Sequence, residues 1–192
     1  MQLNEKYKII TIGSSAGGLF ALTVILEELP SDYPVPVVIV QHRSKDQNGL
    51  LEDVLQKKCL IKIKQADEKE IIERGFVYIA PPDYHLLIES DKTFSLSSEK
   101  PENFSRPSIN ALFETAATVF KDTLIGIILT GSNDDGAGGI LAIKTCGGLT
   151  IAQHPGEAKF PLMPEASIAT KAVQHIWSLK QIKHFLLSIS NA

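Results

Sequence analysis

Apolar residues along this chain come in two rhythms, and their alternation outlines a fold before any motif is considered. Lys8-Ile9-Ile10-Thr11-Ile12 is a short β-branched run, and Gly13-Ser14-Ser15-Ala16-Gly17-Gly18 follows as small residues that break a strand and open a helix. Residues 18–29 carry Leu19, Ala21, Leu22, Val24, Ile25 and Leu29 at helical spacing, with Pro30 as terminator. Residues 35–40 are a second apolar run that stops at Gln41-His42, and apolar side chains on both faces mark a parallel strand covered on two sides. The first crossover is therefore a βαβ unit, right-handed by default.

A short amphipathic helix is expected over 49–57, with Leu50, Leu51, Val54 and Leu55 inward. The middle of the chain then changes character. Short runs at 61–64, 76–80, 85–89 and 93–97 are split by Glu73-Arg74-Gly75, Pro81-Pro82-Asp83 and Ser90-Asp91-Lys92, and several alternate in polarity. They predict antiparallel hairpins inserted into, or added to the edge of, the parallel sheet. After a polar loop at 101–106, helical spacing returns over 107–120, with Ser108 as N-cap and Ile109, Leu112, Phe113, Ala116 and Phe120 inward. Residues 124–129 form the most apolar strand and run into Thr130-Gly131-Ser132-Asn133-Asp134-Asp135-Gly136. A helix at 137–146, a strand at 149–153, a loop through His154-Pro155-Gly156, a short helix after Pro164 and a last helix at 179–188 complete the alternation. The pattern predicts one α/β domain over residues 1–192. It is a three-layer sandwich on a mostly parallel, doubly wound sheet, with an antiparallel hairpin insert.

Composition removes several classes of function. With 44% hydrophobic and 21% charged residues the chain is ordinary for a globular protein, and a formal net charge of -3 supplies no basic field for nucleic acid. Residues 1–7 are polar where a secretory signal needs an apolar core, and no run reaches the length of a membrane span. A cytoplasmic protein with no membrane insertion is expected. Cys59 and Cys146 lie far apart without metal-ligand spacing and read as reduced and structural. His154, His175 and His184 share no spacing that would build a metal site, so neither metal nor cofactor is expected. Trp177 and the phenylalanines read as core. Nothing in the pattern addresses oligomeric state.

In an open parallel sheet, functional groups gather where strands finish. Ser14-Ser15 follow the first strand, His42 the second, and Asp134-Asp135 the strand at 124–129. A serine hydroxyl needs a base to accept its proton, imidazole does this near neutral pH, and a carboxylate fixes the imidazole tautomer and steadies its positive charge. Each residue also has a plain reading: a serine in a Gly-rich turn as a cap, a histidine as a satisfied polar residue, acids before Gly136 as caps of the next helix. Spacing by itself leaves the two readings level, and leaves open which serine faces the cleft.

The segments Ile12-Gly13-Ser14-Ser15-Ala16-Gly17-Gly18, Gln41-His42, Ile79-Ala80-Pro81-Pro82-Asp83-Tyr84-His85, Arg106-Pro107-Ser108, Ile128-Leu129-Thr130-Gly131 with Asp135-Gly136, and Ile151-Ala152-Gln153 through Met163-Pro164 resemble, in order, the motif series of the CheB-type protein-glutamate methylesterase domain. The resemblance runs over about residues 8–188. It implies hydrolysis of glutamate γ-methyl esters on the methylated cytoplasmic helices of chemotaxis-type receptors, with release of methanol, and in many members deamidation of receptor glutamines. It assigns the nucleophile to Ser15, the base to His42 and the orienting acid to Asp135. Backbone N–H groups near Ala16 or Ser132 would hold the oxyanion. His85 and Arg106 fall in family-like motifs as candidates for lining the cleft, where Arg106 could attract an acidic receptor segment, or for a structural role.

Three features depart from the family. Ala16 stands where threonine often follows the nucleophile, and Asp134 stands where asparagine is common, where it reads as a helix cap. Family members usually carry a receiver domain ahead of this one, whereas here the first strand begins almost at Met1, which predicts a stand-alone domain without that control. Two other readings compete: a non-catalytic signalling module of the same fold, and a dinucleotide-binding protein. The latter lacks G-x-G-x-x-G, and Gln41-His42 stands where an acid for the ribose would be expected.

Overall fold

The computed structural model describes residues 3–43, 50–102 and 105–190. The chain forms α1 (Leu3–Lys6), β1 (Ile9–Ser14), α2 (Gly18–Leu26), β2 (Val37–Gln41), α3 (Leu50–Gln56), β3 (Lys62–Gln65), β4 (Phe76–Ile79), β5 (His85–Ile88), β6 (Phe94–Ser97), α4 (Ile109–Phe120), β7 (Leu124–Ile128), α5 (Ala137–Thr145), β8 (Leu149–Gln153), α6 (Leu162–Ala169), β9 (His175–Trp177) and α7 (Leu179–Ser190). Seven strands pair in parallel in the order β3-β4-β2-β1-β7-β8-β9, and β5 and β6 form a separate antiparallel hairpin. The mostly parallel sheet with a hairpin insert is the architecture that the apolar pattern predicted.

Alternation along each strand builds the layers. Ile10, Ile12, Val37, Ile39, Ile125 and Ile127 pack with α2 and α7, while Ile9, Val38, Val40, Leu124 and Ile128 pack with α4 and α5. Every residue of β1, β2 and β7 is buried, as a parallel strand covered on two faces requires.

The hairpins expected at 61–64 and 76–80 do not form. β4 instead pairs in parallel with β2, from Val37↔Val77 to Ile39↔Ile79, and β3 pairs in parallel with β4. The reason lies in where the side chains go. Val77 and Ile79 join the core of one layer, while Tyr78 packs edge-on against Phe94 in the other, ring centroids 5.0 Å apart. The polar alternation that suggested a hairpin belongs to β3, an edge strand that turns Lys62 outward.

Smaller differences have local causes. α2 ends at Leu26, and a further turn closed by Leu29 N–H on the Leu26 carbonyl buries Leu29 beyond the helix. α6 begins before Pro164, which sits in the first turn where its missing N–H breaks no helical bond. The short edge strand β9 and the single turn α1 carry too few apolar residues to show a period. Residue 49 of the expected helix at 49–57, and residues 103 and 104 of the expected loop at 101–106, lie outside the described residues. Phe20 and Phe160, read as core, are 71% and 38% exposed.

β1 is where the strand order reverses: β2 and β4 lie on one side of it, β7 and β8 on the other. The carboxyl ends of β1, β2 and β7 therefore share one rim. Gly13 brings the start of α4 onto that rim, because a Cβ there would lie 2.4 Å from Ile109 Cγ2.

Candidate active site

Ser15 lies between two anchored strands. Its N–H donates to the Thr130 carbonyl at 3.0 Å, and its carbonyl accepts the Gly18 N–H at 2.9 Å and Gln41 Nε2 at 2.8 Å. Gln41 also accepts the Ser14 hydroxyl at 2.6 Å and donates to the His42 carbonyl at 3.0 Å, so one buried amide stitches together the ends of β1 and β2. The turn tolerates this only with glycine. Gly17 has φ of 80°, and a Cβ on Gly18 would stand 1.9 Å from Gln41 Oε1. Ser14 is thereby committed to the interior and Ser15 to the mouth of a groove. Among the described residues the Ser15 hydroxyl makes no hydrogen bond, and the Ala16 and Ser132 N–H groups donate to no acceptor.

His42 stands beside this turn, its N–H donating to the Ser14 carbonyl at 3.0 Å. Its Nε2 lies 2.8 Å from Asp135 Oδ2. An ionised carboxylate only accepts, so Nε2 carries the proton and Nδ1 holds the free lone pair. Nδ1 lies 3.5 Å from the Ser105 hydroxyl, which in turn accepts Asn133 Nδ2 at 3.2 Å.

Asp135 is fully buried. Oδ2 accepts the Ile109 N–H at 2.7 Å as well as His42, and Oδ1 accepts the Asn110 N–H at 3.1 Å, while the single proton of the Ser108 hydroxyl lies between Oδ1 at 3.2 Å and Glu102 Oε2 at 2.9 Å. The acid after β7 thus sits on the amino end of α4, where unpaired N–H groups and the helix dipole favour an anion. Burial alone would push its pKa up. The His42 hydrogen bond and the two backbone N–H groups outweigh this and hold the carboxyl below its ordinary 3.8.

The helix after Asp135 is capped from elsewhere. Asn110 Oδ1 accepts the N–H groups of Gly136 at 3.0 Å and Gly139 at 2.8 Å, so α4 caps α5 while Asp135 caps α4. Asp134, expected as that cap, makes no capping bond with its side chain and is exposed.

The other expected cleft residues are turned to structural ends. His85 is 3% exposed: its Nδ1 accepts the Ser108 N–H at 3.1 Å and its Nε2 donates to the Lys100 carbonyl at 3.2 Å. Both ring nitrogens are used in tying the hairpin to α4. Arg106 spends Nε and Nη2 on Asp83 Oδ1 and Nη1 on the carbonyls of Ser98 and Glu99, so its charge is already matched. Of the two roles the sequence left open for His85 and Arg106, these contacts supply the structural one.

Several supporting residues escaped the sequence reading. Gln41 was seen only as a strand end, Asn110 only as the third residue of a helix start, and Ser105 and Asn133 only as loop. Arg43, next to His42, grips Glu52 of α3 with Nη1 and Nη2 at 2.9 and 2.7 Å and donates to the Ala80 carbonyl at 3.0 Å. Their signal in sequence is weak, since each acts on a partner distant along the chain.

A doubly wound parallel sheet that carries a serine, a histidine and a buried aspartate on one rim has the groups of a serine-type ester hydrolase. The chain belongs to the CheB methylesterase family, whose model matches residues 10–186. A Leptospira interrogans relative, provisionally named as a protein-glutamate methylesterase/protein-glutamine glutaminase, is 50% identical over 183 residues covering 95% of each chain. The protein-glutamate methylesterase/protein-glutamine glutaminase of Clostridium acetobutylicum is 31% identical over 97% of this chain and 54% of its own length. Among solved structures, the Thermotoga maritima CheB methylesterase catalytic domain superposes with a TM-score of 0.91 at 32% identity, covering 95% of this chain and 98% of that one.

Proposed function

We propose that this chain hydrolyses glutamate γ-methyl esters on the cytoplasmic helices of chemotaxis-type receptors and deamidates glutamines at such positions, with residues 1–192 acting as one cytoplasmic domain. The observation that carries this reading is the His42–Asp135 bond at 2.8 Å, just after β2, which pairs with the β1 strand that Ser15 follows.

Ser15 Oγ attacks the ester carbonyl as His42 Nδ1 takes its proton, and Asp135 steadies the imidazolium through Nε2–H. The carbonyl oxygen becomes an oxyanion that the Ala16 and Ser132 N–H groups receive. Collapse expels methanol, which takes the proton from Nδ1–H, and leaves a glutamyl ester on Ser15. Water, deprotonated by the same nitrogen, attacks this ester and releases glutamate and free Ser15. A glutamine side chain follows the same path with ammonia as leaving group. The hydrogen bond between Ser15 and His42 forms when substrate closes the gap, since catalytic contacts commonly tighten in the Michaelis complex.

Among the described residues no helix is long and apolar enough to cross a membrane. A serine-reactive fluorophosphonate should label Ser15, and methyl-labelled receptor membranes should release methanol with the wild-type protein but not with Ser15→Ala or His42→Ala. Full turnover by Ser15→Ala would overturn the assignment.

A further inference from the structure

The groove at the mouth of which Ser15 lies extends well beyond the reacting atoms. It has a volume of about 660 Å³ and follows α2 from Leu19 and Phe20 past Thr23 to Glu27. From residue 19 to residue 27 a helix rises about 12 Å, or a little over two turns. Phe20 is 71% exposed at the start of this wall, a large aromatic face without a core to join.

The charges along the groove are not balanced. Lys159 lines it near the nucleophile, its Cβ 3.1 Å from where a Gly17 Cβ would be, and Lys58 also lines it. Both are exposed, and neither makes an ion pair among the described residues. Lys159 Nζ sits 5.9 Å over the Phe160 ring. Among the described lining residues the one acid, Glu27, is met by Lys183 Nζ at 3.2 Å. Two lysines without an ion pair among the described residues therefore line the groove that Ser15 opens into, with an exposed aromatic on its wall, in a chain whose net charge is -3. The guanidinium expected to attract an acidic segment, Arg106, is already matched by Asp83.

From this charge complementarity we infer that the groove along α2 is the docking track for an acidic amphipathic helix, with Lys58 and Lys159 gripping carboxylates that flank the glutamyl ester and an apolar side chain resting on Phe20. The inference rests on the proposed esterase reading and adds which residues choose the substrate. A helix fits where an extended strand does not: its side chains recur on one face at each turn, matching a wall that is itself a helix.

The test uses the full chain and a synthetic helical peptide with one glutamate γ-methyl ester flanked by glutamates, read as methanol release. Lys58→Glu and Lys159→Glu should each raise KM about fivefold, the range of a surface ion pair lost and reversed, with the effect on KM and not on kcat. Raising salt should weaken the wild-type KM in the same direction. Lys159→Arg should restore the wild-type KM, and a peptide with lysine in place of a flanking glutamate should recover affinity for the Glu variants. An unchanged KM in both variants, or a rise that the charge-swapped peptide does not reverse, overturns the inference. So does a wild-type dimer in sedimentation that Lys58→Glu dissociates, which would give the groove to a second copy of the chain. Fluorophosphonate labelling of wild-type Ser15 keeps the two failures apart: no labelling sinks the esterase itself, whereas labelling with an unmoved KM sinks only the track.

Discussion

Replacing Asp135 by asparagine changes one atom in a buried site where both oxygens are engaged. The carboxylate accepts His42 Nε2 and the Ile109 N–H on one oxygen and the Asn110 N–H on the other, beside a Ser108 hydroxyl that Glu102 shares. An amide has one oxygen. If that oxygen takes the His42 side, the new NH2 faces the Asn110 N–H donor. In the opposite orientation the NH2 faces the Ile109 N–H and forces His42 to accept at Nε2, moving its proton to Nδ1, the nitrogen that must act as base. Either way a buried donor is orphaned at a cost of about 1–3 kcal/mol, which for a domain of this size lowers Tm by roughly 2–12 °C. The second orientation relieves His42 at no further cost in hydrogen bonds, so kcat/KM for methanol release should fall by about 10³–10⁴, or roughly 4–5.5 kcal/mol of transition-state stabilisation. The pH dependence gives a second check. Because the folded carboxyl titrates below its ordinary 3.8, its contribution to stability is fully present above that value and is lost as pH falls through the lower, folded one. Chemical denaturation of wild type and Asp135→Asn should therefore differ at pH 7 and converge below pH 3.8. An Asp135→Asn protein within tenfold of wild-type kcat/KM would refute the orienting role outright.

Gly18→Ala should push the Gln41 amide off Ser14 and Ser15, since the added methyl would stand 1.9 Å from Gln41 Oε1; we expect a marked drop in both Tm and fluorophosphonate labelling, measured side by side. Glu52→Gln removes the carboxylate that both terminal nitrogens of the Arg43 guanidinium grip, and urea denaturation should show a loss of about 1–3 kcal/mol. Ser105→Ala removes the hydroxyl 3.5 Å from His42 Nδ1 and frees that lone pair for Ser15, so the labelling rate should rise, or stay level, rather than fall. Asn110→Ala strips the acceptor from the Gly136 and Gly139 N–H groups and should cost about 1–2 kcal/mol by thermal denaturation.

Local chemistry was legible along the chain wherever neighbours in sequence are neighbours in space. The β-branched runs, the small-residue turn after β1, the Ser108 cap and the apolar faces of α4 and α7 follow from spacing alone, because helix and strand periods are properties of consecutive residues. The ordered motif series also carried the family, and with it the expectation that Ser15, not Ser14, meets the substrate. What spacing could not assign is the partner across the sheet. Whether 61–64 and 76–80 pair as hairpins or as parallel strands depends on which layer covers Val77 and Tyr78, and that layer comes from elements far along the chain. Asp135 and Asn110, 25 residues apart, exchange the caps of each other's helices, whereas in isolation Asp135 reads as a cap of the helix that follows it. Arg106 reads as a free cation until Asp83 is folded against it, and Lys58 and Lys159 read as ordinary surface until the groove places them near Ser15. Charge and hydrogen-bond valence are consumed pairwise across the fold, and only tertiary contact decides which groups are left over to act.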